Sequence, residues 1–142
     1  MRRPLDRIRH AVLFEAIAIS LVTPLTAWVF DVSLEDSFVV TAVSALVAMA
    51  WNYLFNEGFD RALVRAGRST YKTPLLRVVH ATLFEIGLIL MLVPFFMMWL
   101  DIGTGRALAM NLSLSVVYMA YAFAFNWAYD WLFPLPEWQT DT

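Results

Sequence analysis

The chain contains no cysteine, which removes disulfides, thiolate nucleophiles and cysteine-based metal sites from consideration. Its two histidines stand far apart, so no chelating spacing such as His-x-x-x-His occurs and no metal is implied. The five glycines are scattered and make no phosphate-cradling loop. There is no nucleophile signature and no paired-carboxylate site of the kind found in water-soluble clefts, so no cofactor and no enzymatic chemistry is implied. Charge is also scarce. Asp, Glu, Lys and Arg make up 15% of the 142 residues, the net charge is -2, and 61% of the chain is hydrophobic. That balance excludes an ordinary soluble domain and fits an integral membrane protein. It also argues against nucleic-acid binding, which needs a folded basic face.

What the chain does have is four long apolar runs, at about 11–30, 38–56, 81–100 and 107–129. Each is close to the roughly 20 residues a helix needs to cross a hydrocarbon core of about 30 Å. The expected fold is therefore all-α, with four transmembrane helices at about 10–30, 36–58, 79–100 and 106–131. Basic residues set the orientation. Arg2, Arg3, Arg7 and Arg9 precede the first run, and Arg61, Arg65, Arg68, Lys72 and Arg77 fill the connection between the second and third. The other two connections carry Asp31, Glu35 and Asp36, and Asp101 with Arg106. Both termini should face the cytoplasm. A signal peptide is the competing reading of the basic start, but the run is too long, contains Glu15 and lacks a small-x-small cleavage site.

The sequence also repeats itself without a gap at an offset of 70. Arg7-Ile8-Arg9-His10-Ala11-Val12-Leu13-Phe14-Glu15 returns as Arg77-Val78-Val79-His80-Ala81-Thr82-Leu83-Phe84-Glu85. Pro24 and Pro94, Asp31 and Asp101, Phe55-Asn56 and Phe125-Asn126, and Asp60 and Asp130 keep the same spacing. Two helical hairpins, 1–70 and 71–142, follow. Each has an even number of crossings, so the copies enter from the same side as a parallel repeat rather than an inverted one. Gly67, Ser69 and Pro74 mark the boundary, and the prolines at 134 and 136 should make the tail irregular.

Glu15 and Glu85 are the leading candidates for chemistry. An ionised carboxylate well inside a bilayer costs several kcal/mol, roughly, so such a group faces a cavity, finds a partner or takes up a proton. The structural alternative is a glutamate that only holds helices together. His10 and His80 precede the glutamates by five positions, about 140° around a helix, and share a face with Arg7 and Phe14 or Arg77 and Phe84 instead. Pairing of these histidines or arginines with Asp60 or Asp130 is expected, and a proton relay is the alternative. Trp51, Phe55 and Phe59, and Tyr121, Phe125 and Tyr129, form aromatic stripes at i, i+4, i+8, with Asn52, Asn56 and Asp60, echoed by Asn126 and Asp130, on the neighbouring face. An aromatic wall beside carboxylates suits lipophilic cations; packing or an interfacial belt is the plainer reading. Pro24 and Pro94 should kink helices 1 and 3. Ala120, Ala124 and Ala128, and Ser44 with Ala48, are small-residue seams that allow close helix approach, within one chain or in a homodimer.

The motifs Arg7-x-x-His10-Ala11-x-x-Phe14-Glu15, Trp51-Asn52-x-x-Phe55-Asn56 with Phe59-Asp60, Arg77-x-x-His80-Ala81-x-x-Phe84-Glu85 and the run from Tyr121 to Asp130 resemble the proteobacterial antimicrobial compound efflux family. Its members are built from two tandem bacterial transmembrane pair domains. The resemblance implies a proton-coupled exporter of biocides such as chlorhexidine and acriflavine, with short diamines as further cargo. It also implies that Glu15 is the coupling residue; Glu85 is its repeat counterpart and the second proton-coupling candidate, and the helix-face pattern makes Glu15, Trp51, Asn52, Phe55, Tyr121 and Phe125 the substrate-binding candidates. Small multidrug resistance exporters share the four helices and early glutamate but not the duplication. A passive channel and a non-transporting assembly protein are the readings from other classes.

Overall fold

The apolar runs fold as four long helices in a computed structural model, which describes residues 3–134. They are α1 (Pro4–Phe30), α2 (Leu34–Arg65), α3 (Pro74–Leu100) and α4 (Thr104–Leu132), and no strand occurs among the described residues. At 27 to 32 residues each, they reach about 40–48 Å at 1.5 Å per residue, beyond the roughly 30 Å of hydrocarbon. All four are long and apolar enough to span a membrane.

The helices extend past the apolar runs because their ends are specified locally. Pro4 and Pro74 open α1 and α3 at a position where a missing N–H costs nothing and the fixed φ suits the helix. Thr73 caps α3 by accepting the Leu76 N–H at 3.3 Å, and Ser33 does the same for α2 through the Asp36 N–H at 3.0 Å. Asp31 and Asp101 end α1 and α3 in the left-handed region, at φ 53° and 52°. Their N–H groups turn back to the carbonyls of Ala27 and Met97, as do those of Val32 and Ile102, at 3.1 and 3.4 Å. Aspartate tolerates this conformation better than most side chains, which accounts for its recurrence at the offset of 70. Gly67, at φ 68°, closes α2, with the Arg68 N–H returning to the Leu63 carbonyl at 2.9 Å. Pro24 and Pro94 lie inside unbroken helices. The chain leaves α4 after Leu132; Pro134 is non-helical, whereas Pro136, like Arg2, lies outside the described residues.

The chain forms two compact units that do not coincide with the two repeats. One joins α1 and the start of α2, to Thr41, with α4 from Leu112 onward; the other is Ala42–Asn111. In the first, the Tyr121 hydroxyl donates to the Phe14 carbonyl at 2.8 Å. In the second, the Trp51 indole N–H donates to the Phe84 carbonyl at 3.1 Å. These bonds join corresponding positions, so α1 meets α4 as α2 meets α3.

Burial repeats as well, but its chemistry does not. Thr23, Thr26, Ser37 and Ser44 are buried at positions whose counterparts are the buried Val93, Phe96, Ala107 and Leu114. The Ser37 hydroxyl donates to the Thr23 carbonyl. A second departure from symmetry is Gly87, the counterpart of Ile17. A Cβ at Gly87 would fall on the Trp51 indole, 2.6 Å from Cε2 and 2.9 Å from Nε1. The larger ring at 51 is thus matched by a missing side chain at 87. Gly87→Ala should destabilise the protein by about 1–3 kcal/mol, the usual cost of overpacking. In a Trp51→Ala background that cost should vanish, which thermal unfolding of the two single variants and the double variant in detergent would measure.

Candidate functional site

The motif residues meet in two matching sets, one in each unit. In the first, His10 Nε2 lies 2.8 Å from Asn126 Oδ1; in the second, His80 Nε2 lies 2.9 Å from Asn56 Oδ1. An amide oxygen only accepts, so in both cases Nε2 carries the hydrogen and donates. Asn56 is further fixed by donating its Nδ2 to the Asn52 carbonyl at 2.7 Å and to Asn52 Oδ1 at 3.0 Å. The expected pairing of the histidines with Asp60 or Asp130 is replaced by these asparagine bonds. An asparagine acceptor brings no charge of its own into the apolar stretch, a less costly partner than a carboxylate inside hydrocarbon.

The aromatic stripes close around the same imidazoles. His10 stands edge-on to Phe125 and Tyr129, with centroids 5.2 and 4.6 Å away. His80 stands edge-on to Phe55 and Phe59, at 4.9 and 4.8 Å. Phe14 meets Phe125 at 5.2 Å, and Phe84 meets Phe55 at 5.6 Å. Trp51, Phe55, Tyr121 and Phe125 are half-buried, and Asn52 is exposed. The stripes therefore pack a helix pair in each unit.

The two glutamates are treated differently. Both are half-buried, but Glu85 Oε1 accepts the Asn111 amide at 3.2 Å, whereas Glu15 Oε2 is fully buried and has no hydrogen-bond partner among the described residues. Glu15 lies within electrostatic reach of the phenols of Tyr118 and Tyr121.

Charges outside the apolar stretches form two further clusters. Arg9 Nε donates to the Tyr129 hydroxyl at 3.0 Å, and that hydroxyl donates to Asp6 Oδ1 at 2.7 Å. Arg9 also pairs with Asp6 and lies 4.0 Å from the centroid of Phe133. Lys72 Nζ stands 3.3 Å from Asp60 Oδ1, close enough for an ion pair although its geometry makes no hydrogen bond. The same ammonium lies 5.5 Å from the centroid of Phe59. Arg77 Nε donates to the Lys72 carbonyl at 3.2 Å, Arg7 is exposed, and so is Asp130. Sequence reasoning missed Asn111, Tyr118 and Gly87. Asn111 was detectable as a lone amide in a charge-free run, whereas Tyr118 sits among aromatics and carries no distinguishing signal.

The profile of the chlorhexidine efflux transporter family matches the chain twice, over residues 2–65 and 72–135. The chain belongs to this family. A protein of Vibrio parahaemolyticus described as a short-chain diamines transporter is 35% identical over 127 residues, 88% of each chain. Proteins of Acinetobacter baylyi and Acinetobacter baumannii with the same description are 28% and 27% identical over 124 residues, covering 87% of this chain in each case. No solved structure matches. The protein is accordingly a multi-pass membrane transporter of an efflux family, and the two histidine–asparagine sets lie within the matched segments. Asn56→Ala and Asn126→Ala each leave an imidazole without its acceptor. Each should lower stability by about 0.5–2 kcal/mol, the range found for polar pairs between membrane helices, as read from thermal unfolding in detergent. Asn56→Ala should cost more, because Asn56 also bonds Asn52.

Proposed function

We propose that this protein is a proton-coupled exporter that removes cationic biocides of the chlorhexidine and acriflavine type, and short-chain diamines, across the bacterial inner membrane. Family membership supports the cargo. One observation supports the coupling: of two glutamates at equivalent positions, Glu85 is held by Asn111 while Glu15 Oε2 is buried with no partner. A carboxylate oxygen in that condition is a site waiting for a proton or a cation. Proton entry and cation exit then compete for one group, the simplest coupling of two opposed fluxes. Deprotonated Glu15 attracts the cation and protonated Glu15 releases it. Tyr121 and Phe125 in the unit of Glu15, and Trp51 and Phe55 in the other unit, offer apolar area and ring faces to the organic part of a substrate, Asn52 offers an amide, and Glu85 plays the lesser role. Arg7, His10, Asn56, Asp60, Arg77, His80, Asn126 and Asp130 hold the helices.

Both termini face the cytoplasm in this reading, because the basic residues cluster beside Pro4 and in the α2–α3 connection. Labelling of single cysteines in intact cells should reach Glu35→Cys from outside and leave Ser69→Cys protected; the reverse pattern overturns the topology. The chain works as a homodimer, through the small-residue seam at Ala120 and Ala124, which are exposed on α4. Oxidative cross-linking of Ala124→Cys between copies tests that part.

The coupling claim is tested by purified protein in vesicles with an imposed pH gradient. Glu15→Gln carries no charge in either state, so it should fold normally and lose gradient-driven export of a fluorescent cation by at least about tenfold, the change expected when a charge-assisted contact of roughly 1.5–3 kcal/mol is removed. Glu85→Gln should lose less. Export by Glu15→Gln at the rate of the unmodified protein overturns the mechanism. Export driven by the substrate gradient alone, with no dependence on the pH gradient, makes the protein a passive channel.

A further inference from the structure

We propose that Thr41 and Tyr118, with Glu15, form a subsite for a primary ammonium group, present in the unit that holds Glu15 and closed in the unit that holds Glu85. The inference rests on the reading of Glu15 given above and names the chemistry that site accepts. Thr41 is the repeat counterpart of Asn111. In the second repeat Asn111 is buried and spends its amide on Glu85, so that carboxylate already has its donor. Threonine at the equivalent place is shorter and brings a hydroxyl in place of the amide. Thr41 is 0% exposed, and its Oγ1 has no hydrogen-bond partner among the described residues. The same holds for Tyr118 Oη, a phenol within electrostatic reach of Glu15. Its counterpart is Ala48, which carries no polar group. Among the described residues, the unit that holds Glu15 therefore keeps four buried oxygens without hydrogen-bond partners, on Glu15, Thr23, Thr41 and Tyr118; Thr23 lies about two turns along α1 from Glu15, and the subsite uses the other three.

Buried polar groups in folded proteins are ordinarily bonded, and an orphan is retained where something transient supplies the partner. A primary ammonium has three N–H donors and no acceptor, which matches one carboxylate oxygen and two hydroxyl oxygens. A quaternary ammonium has no donor and gains only charge attraction and ring contacts. The subsite thus separates the end of a diamine from a quaternary cation of similar length. The unit of Glu85 holds no equivalent, because Asn111 fills the corresponding position there.

Thr41→Val keeps the shape of the side chain and removes the hydroxyl; Tyr118→Phe does the same for the phenol. Binding of 1,5-diaminopentane and of its fully N-methylated bis-quaternary analogue to the purified full chain in nanodiscs, followed by calorimetry, gives the readout. Each variant should bind the diamine about tenfold more weakly, as expected for one charge-assisted hydrogen bond, and the quaternary analogue equally well. Each should also melt at an unchanged or higher temperature, because an orphaned buried hydroxyl has been deleted, a combination that a purely structural residue does not give. Equal losses for both ligands, or unchanged diamine binding by both variants, overturn the subsite while leaving the proposed function standing. Failure of the unmodified protein to bind either cation overturns both.

Discussion

A polar group cannot be left alone in hydrocarbon, and the organisation of this chain follows from that constraint. Lipid is as apolar as leucine, so bringing two membrane helices together gains little from the hydrophobic effect. What remains is close packing and the few hydrogen bonds that cross between helices. Here they include donations to the carbonyls of Phe14 and Phe84, from Tyr121 and Trp51, and the histidine–asparagine bonds of His10 with Asn126 and His80 with Asn56. These four lie on motif residues. Motifs that read as transport machinery in the sequence are, in large part, the bonds that let helices associate. The glutamates differ from this pattern, because an acceptor-only group must borrow a donor.

The spans, their number and the ends of α1 and α3 were legible because each has a local cause: length of apolar run, and aspartate where the chain needs a left-handed residue. The ungapped duplication was legible too. Which copies pair was not. His10 has an asparagine of the same motif type available at Asn56 and at Asn126, and a bond to either satisfies the imidazole equally. Duplicated sequence therefore offers two chemically identical solutions, and only the connection geometry selects α1 with α4 and α2 with α3. The aspartates misled for a related reason. Asp60 was the obvious partner for a histidine by charge, but a neutral asparagine avoids placing an ion in the span, and Lys72 in the α2–α3 connection reaches Asp60 from outside the apolar stretch.

The two repeats have diverged mainly at buried positions, and within the motifs at the ring of Trp51 and Tyr121. Trp51 with Gly87 stands against Tyr121 with Ile17, an exchange of volume that keeps a hydrogen-bonding ring in both copies. The hydroxyls at Thr23, Thr26, Ser37 and Ser44 stand against Val93, Phe96, Ala107 and Leu114. In the second case the exchange is of chemistry at constant burial. Side chains such as Val and Leu stabilise a packed position without needing partners, whereas a buried hydroxyl that lacks one costs about 1–3 kcal/mol. Several of the first repeat's hydroxyls are in that condition, those of Thr23, Thr41 and Ser44 among them.

A duplication makes that cost tolerable. If one hairpin is packed with apolar side chains and its carboxylate is held by Asn111, it supplies stability that the other need not. The hairpin carrying Glu15 is then able to keep unsatisfied oxygens, a local strain that proteins retain chiefly where a ligand relieves it. A strictly symmetric pair would have either two held glutamates and no site, or two open ones and twice the buried polar cost. In the proposed mechanism the asymmetry between Thr41 and Asn111 is thus the smallest change that divides the labour, because it decides which of two equivalent carboxylates lacks an asparagine donor.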